Sequence, residues 1–241
     1  MTASTPRSPG AGSRSRRLLA FTLTALITAV LLASCAAAPN GVQKKSGPAI
    51  LMAAAMALES AHTYRIQAES TAASSNSSIS FEVGGANVGE GTFTSATLTF
   101  QAEELHGIDY FRSQKLWSNV GGASLQSALG DRWVYISASS VTAQQLTGVF
   151  GNLTSPKLLA AQLTKKFRSA IRGASARVDG QPVIAVSEPG AGTVYVATTG
   201  NPYPLLWDES KQSAIHFSDF GQKVHLTAPP RALSLQKIMT S

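Results

Sequence analysis

Apolar and polar residues change their spacing several times along this 241-residue chain, and each change marks an element. Leu18–Leu32 is nearly continuous Leu, Ala, Thr, Ile and Val. Ala36–Gly47 is small, polar and turn-rich and reads as a flexible tether. Ala49–Ala61 places Leu51, Met52, Ala55, Met56 and Leu58 at helical spacing. From His62 to Glu69 the period drops to two, with Tyr64, Ile66 and Ala68 on one face and Arg65, Gln67 and Glu69 on the other. That is a half-buried strand.

Further strands are expected at Ser78–Val83, Gly91–Ala102, His106–Arg112 and Arg132–Ser137, separated by Gly, Asn and Ser as in antiparallel hairpins. The clearest helix is Ser155–Arg172. Ser155 is a good N-cap, Pro156 suits the first helical position, and Leu159, Leu163, Phe167 and Ile171 form an apolar stripe. Gly173 follows as a stop, and late Lys and Arg residues suit the helix dipole. Strands return at Pro182–Ser187, Thr193–Thr198, Pro204–Trp207, Ala214–Ser218 and Lys223–Thr227. The pattern predicts an α+β fold: a large antiparallel sheet, a first helix and a helical insertion near the middle.

The N-terminal segment has its own logic. Arg7, Arg14, Arg16 and Arg17 precede the apolar run with no acid among them, and no charged residue occurs from Leu18 to Gln43. This is the layout of an export signal. Leu32-Ala33-Ser34-Cys35 resembles the bacterial lipobox, in which the thiol is lipidated and the chain is cut before it. Cys35 is the single cysteine, so a disulfide within the chain is excluded. The expected organisation is a signal peptide over 1–34, cut between Ser34 and Cys35, a tether over 35–47 and one domain over 48–241. An apolar stretch of about 20 residues would also serve as an uncut signal anchor, the other reading of this segment. Ser15-Arg16-Arg17-Leu18-Leu19 resembles a twin-arginine export signal as well as an ordinary basic leader. Two acyl chains on Cys35 would hold the domain at the outer face of the cell membrane.

Charge then narrows the partners. The chain carries +7. Without the four leader arginines, 16 basic residues face 13 acidic ones, a balance that gives no case for nucleic acid.

Catalytic motifs are sparse. Asp219-Phe220-Gly221 lacks the companions of a kinase triplet, and Ser234-Leu235-Gln236-Lys237 lacks those of a penicillin-recognising enzyme. His62, His106, His216 and His225 lack metal-ligand spacing. No catalytic residue, metal or cofactor is expected, and the chain does not read as an enzyme.

A resemblance runs through the second half. Asp131-Arg132-Trp133-Val134-Tyr135 is similar to the G-x-W-V strand of actinobacterial envelope lipoproteins of the LppX/LprAFG type. Val194-Tyr195-Val196 with Asn201-Pro202-Tyr203-Pro204-Leu205 resembles that family's strand and turn. Phe217-Ser218-Asp219-Phe220-Gly221, then Val224 and Ala228-Pro229, resembles its closing segment. The likeness covers roughly 48–230 and is loose before about 130.

It implies a strongly curved antiparallel sheet, an unclosed half-barrel related to the LolA/LolB carriers, with helices packed on its concave side. It also implies a cavity for an acylated lipid or glycolipid, which the protein carries or presents. The cavity-lining residues this suggests are Tyr64, Ile66, Phe81, Phe100, Trp133 and Tyr135 from the sheet, and Leu159, Leu163 and Phe167 from the central helix. A membrane transporter would be a natural partner. The alternative is a surface adaptor or sensor that contacts a membrane protein through a filled version of the same fold.

Overall fold

The structure, a computed structural model, describes residues 37–72, 76–147 and 155–240. The leader, Ser34 and Cys35 lie outside the described residues. From Pro39 onward the chain forms one compact unit.

Among the described residues, five α-helices and twelve strands follow one another as α1 (Gly47–Ala61), β1 (Tyr64–Ser70), β2 (Ser77–Val83), β3 (Val88–Ser95), β4 (Thr99–Leu105), β5 (Ile108–Arg112), α2 (Gln114–Leu129), β6 (Val134–Ser137), α3 (Val141–Thr147), α4 (Pro156–Lys166), β7 (Ile171–Val178), β8 (Gln181–Glu188), β9 (Gly192–Ala197), β10 (Pro204–Ser210), β11 (Ser213–Ser218), β12 (Leu233–Ser234) and α5 (Leu235–Met239). The strands make a single sheet in the order β12-β6-β5-β4-β3-β2-β1-β11-β10-β9-β8-β7. Every neighbouring pair is antiparallel except β12 with β6. The two end strands do not pair with each other, so the sheet is an open half-barrel.

Its concave face is apolar by register. Phe217, Ile66, Phe81, Gly91, Ala102, Phe111 and Val134 stand in one row across seven strands. Phe81 fits because Gly89 and Gly91 of the neighbouring strand have no side chain; a Cβ at either would strike its ring. Over β7–β10 this face is covered by α1, which packs against α4. Ile50, Leu51, Leu58, Leu159, Leu163 and Phe167 join the sheet residues in one continuous core. On the opposite face Val183, Ala197 and Leu205 form a small satellite cluster. Tyr203 and Phe220 stack above it with ring centroids 4.0 Å apart.

Several expected boundaries move, each for a local reason. The tether is docked from Pro39 on. Pro39 bridges to Thr199, the Asn40 amide donates to the Thr198 carbonyl at 2.9 Å, and Val42 is buried in the core. The Gly91–Ala102 strand is two strands, because Ser95 closes a turn in which its hydroxyl accepts from the Leu98 amide at 3.1 Å. Phe93 and Phe100 then face each other across the hairpin with centroids 5.3 Å apart.

The central helix starts as expected, with the Ser155 hydroxyl accepting from the Leu158 amide at 3.3 Å, but it ends at Lys166. Ile171 and Arg172 belong to edge strand β7, and Ile171 is exposed. Helix α2 was hidden by its polarity and by Gly121-Gly122, where the backbone breaks helical geometry and Gly122 takes φ 71°. Residues Lys223–Thr227 form no strand.

Two sequence coincidences acquire structural roles. Asp219 accepts from the Arg65 Nε at 2.8 Å, while the same guanidinium pairs with Glu82. Ser234 caps α5 by accepting from the Lys237 amide at 3.4 Å.

Candidate functional site

Where the cover provided by α1 and α4 ends, the concave face is left partly open. A cavity of about 510 Å³ lies there, bounded by Glu59 in the last turn of α1 and His62 just after it, the β2–β3 turn, β4 and β5, and the first turn of α4. Phe81, Ala102, Phe111 and Leu158 supply its apolar wall. The volume falls within the roughly 300–1,000 Å³ of typical small-molecule sites.

The polar wall is acidic. One register row across the sheet reads Tyr64, Val83, Gly89, Glu104, Asp109 and Ile136, so two carboxylates interrupt an apolar row. Glu104 and Asp109 are direct cross-strand partners, a placement that sets Cβ atoms about 5 Å apart. Asp109 is only 3% exposed, and none of the described residues donates a hydrogen bond to its carboxylate. Burial first, and then the neighbouring Glu104 charge, push the Asp109 carboxyl up to about 7. Burial also raises the Glu104 carboxyl. At the rim, Glu59, His62 and Lys157 are exposed.

On the other face of the same strands, Glu82, Glu90 and Glu103 stand side by side. Glu103 is raised by burial and then by Glu90, and its Oε1 is buried without a hydrogen-bond partner. Among the described residues no group of three or more His, Cys, Asp or Glu is arranged to hold a metal ion.

The residues expected to line a cavity separate into three sets. Phe81 lines it. Tyr64, Ile66, Phe100, Leu159, Leu163 and Phe167 are packed into the closed core instead, because helices press directly on that part of the sheet. Trp133 and Tyr135 face the opposite side: in β6 it is Val134 and Ile136 that point inward. Tyr135 meets Tyr110 on that outer face, with centroids 6.1 Å apart. The residues that sequence reasoning missed, Glu59, His62, Glu104 and Asp109, carry one readable signal. Asp109 and Phe111 share strand parity, so a carboxylate stands where the pattern calls for an apolar residue.

No family model matches the chain, and no curated protein matches it in sequence. Among solved structures, LprF from Mycobacterium bovis superposes with a TM-score of 0.51 at 12% identity, covering 78% of this chain and 100% of that one. The Mycobacterium tuberculosis lipoprotein LppX gives a TM-score of 0.46 at 14% identity over 75% and 98% of the two chains. None of the described helices is long and apolar enough to cross a membrane. With its open antiparallel sheet and helices on the concave side, this chain has the fold of LprF.

Proposed function

We propose that this chain is an envelope lipoprotein, anchored through Cys35 at the extracytoplasmic face of the membrane, that binds an acylated lipid or glycolipid and carries or presents it. The observation that supports this reading is the cavity itself: an opening on the concave face with an apolar wall of Phe81, Ala102, Phe111 and Leu158 and a polar rim. An acyl chain needs such a wall and no catalytic group, and the lipoprotein family that the sequence resembles works in this way.

The anchor would be close. Four residues, Cys35 to Ala38, precede the docked Pro39, a reach of about 14 Å when extended. Replacing Cys35 by Ala is expected to abolish incorporation of a labelled acyl precursor and to release the protein from membranes; a variant that still takes up label overturns the anchor.

The lipid reading is tested by mass spectrometry of the full chain purified from its own membrane, which is expected to carry bound acylated lipid. Ala102→Phe fills the cavity from its floor and should cut that lipid by about tenfold, roughly 1.4 kcal/mol of binding, with the domain still folded by circular dichroism. Lipid retained at the original level would remove the cavity from the function.

One observation favours the adaptor reading. A second groove of about 510 Å³ runs between α5 and β6, lined by Ile108, Tyr135, Leu235 and Met239. Recovery of a membrane protein that Tyr135→Glu no longer binds, from a chain that carries no lipid, would decide for it.

A further inference from the structure

We infer that the polar end of this cavity takes a cation: its ligand is an amphiphile whose head carries an ammonium group, held between Glu104 and Asp109. The inference rests on the lipid-cavity reading above and names the head group that reading leaves open.

The first argument is the missing partner. A buried carboxylate normally finds a cation or several hydrogen-bond donors, because desolvation without compensation costs several kcal/mol. Asp109 has neither among the described residues, although it is buried at the cavity wall directly across from a second carboxylate. Three cations pair with other carboxylates: Arg65 with Glu82 and Asp219, Arg112 with Asp131, and Lys166 with Glu209. Lys157 lies at the rim, exposed, and makes none of the ion pairs found.

The second argument is charge balance. The carboxylates on this face of the lining are Glu59, Glu104 and Asp109, against Lys157. An anionic head would meet like charge at every one of those carboxylates. A hydroxyl head could donate hydrogen bonds but would leave the two opposed charges uncancelled. A metal ion lacks a third ligand. An ammonium group donates to both carboxylates at once, and its chain then lies against Phe81, Phe111 and Leu158.

Glu104 from β4 stands opposite Asp109, and the other titratable groups around the cavity are Glu59 and His62 at the end of α1 and Lys157 at the start of α4. A cation binds best when Asp109 is ionised. Binding therefore weakens as pH falls through the value near 7 at which this carboxyl takes up its proton.

The test uses four short amphiphiles with one chain length: hexylammonium, hexanol, hexyl glucoside and hexanoate. Each is titrated calorimetrically into the full chain in nanodiscs, with empty nanodiscs as the blank. At about pH 8 hexylammonium should bind about tenfold more tightly than hexanol or hexyl glucoside, and hexanoate more weakly still. The preference should shrink at about pH 5 and vanish in the Glu104→Gln, Asp109→Asn double variant. Equal binding of hexyl glucoside or hexanoate, or a preference that survives in the double variant, overturns the inference. Hexanol binding without any preference for the amine overturns the head-group inference and leaves the lipid cavity standing. Binding of none of the four, hexanol included, overturns both.

Discussion

Asp109→Asn should stabilise the domain by up to about 4 kcal/mol at about pH 8 and by almost nothing near pH 3, a reversal of the usual cost of altering a buried residue. The reason is linkage. Asp109 titrates near 3.8 when unfolded and near 7 when folded, and each unit of difference is worth about 1.4 kcal/mol. Below the unfolded value both states are protonated and burial of the neutral carboxyl costs little extra. Between the two values the folded state holds a proton that the unfolded state has released, so stability falls as pH rises. Above the folded value the whole penalty is present. Asn keeps the shape and stays neutral, so it removes the penalty and its pH dependence together.

Urea unfolding of wild type and variant across this range reads the effect as a difference, in which the titration of other carboxylates largely cancels. A difference that does not grow between about pH 4 and pH 7 would show that Asp109 ionises as freely in the folded state as in the unfolded one. A residue whose retention lowers stability at neutral pH is what a binding site leaves behind when its ligand is absent. This stability experiment and the amphiphile titrations bear on the same carboxylate by independent routes.

Trp207→Ala is expected to have the opposite sign and a similar size, a loss of about 3–5 kcal/mol. Trp207 on β10 is 1% exposed and ties three elements together. Its indole N–H donates to the Ala191 carbonyl at 2.9 Å, between β8 and β9. Its ring meets Phe167, the residue that ends α4, edge-on at 5.8 Å, and Lys166 Nζ sits 4.5 Å from its centroid. Truncation removes the ring, leaves that carbonyl without its donor and frees the end of α4. Trp207→Phe keeps most of the apolar area and should cost about 1–3 kcal/mol, the share of an unmet buried polar group. Both are read from denaturant midpoints at constant slope. An Ala variant within about 1 kcal/mol of wild type would mean that α4 is held by its contacts with α1 and not through Trp207.

How much of this was legible in the sequence varied with the range of the forces involved. Helix α1 and strands β1, β2 and β8–β11 follow from local pattern, since most of their large apolar side chains face one core. Local signals also located the start of α4. They could not locate its end. The i, i+4 stripe of Leu159, Leu163 and Phe167 continues numerically to Ile171, yet strand pairing with β8 claims that residue. The β3–β4 hairpin was obscured because its turn is built by Ser95 rather than by Gly or Pro. Helix α2 was obscured because only Leu116, Trp117 and Leu129 of its sixteen residues are buried.

By itself, the sequence determined the α+β class, the antiparallel alternation and the expectation of an anchor at Cys35. Alternation, however, states which residues share a face and not which face is inside. Trp133 and Tyr135 looked the more apolar pair in β6, and pairing with β5 turned them outward and Val134 and Ile136 inward. Only the tertiary structure decided where the cavity lies, because a cavity is the part of a sheet that its helices fail to cover. The same holds for its chemistry. Glu104 and Asp109 are five residues apart along the chain, and it is the β4–β5 register that sets them opposite each other beside that opening.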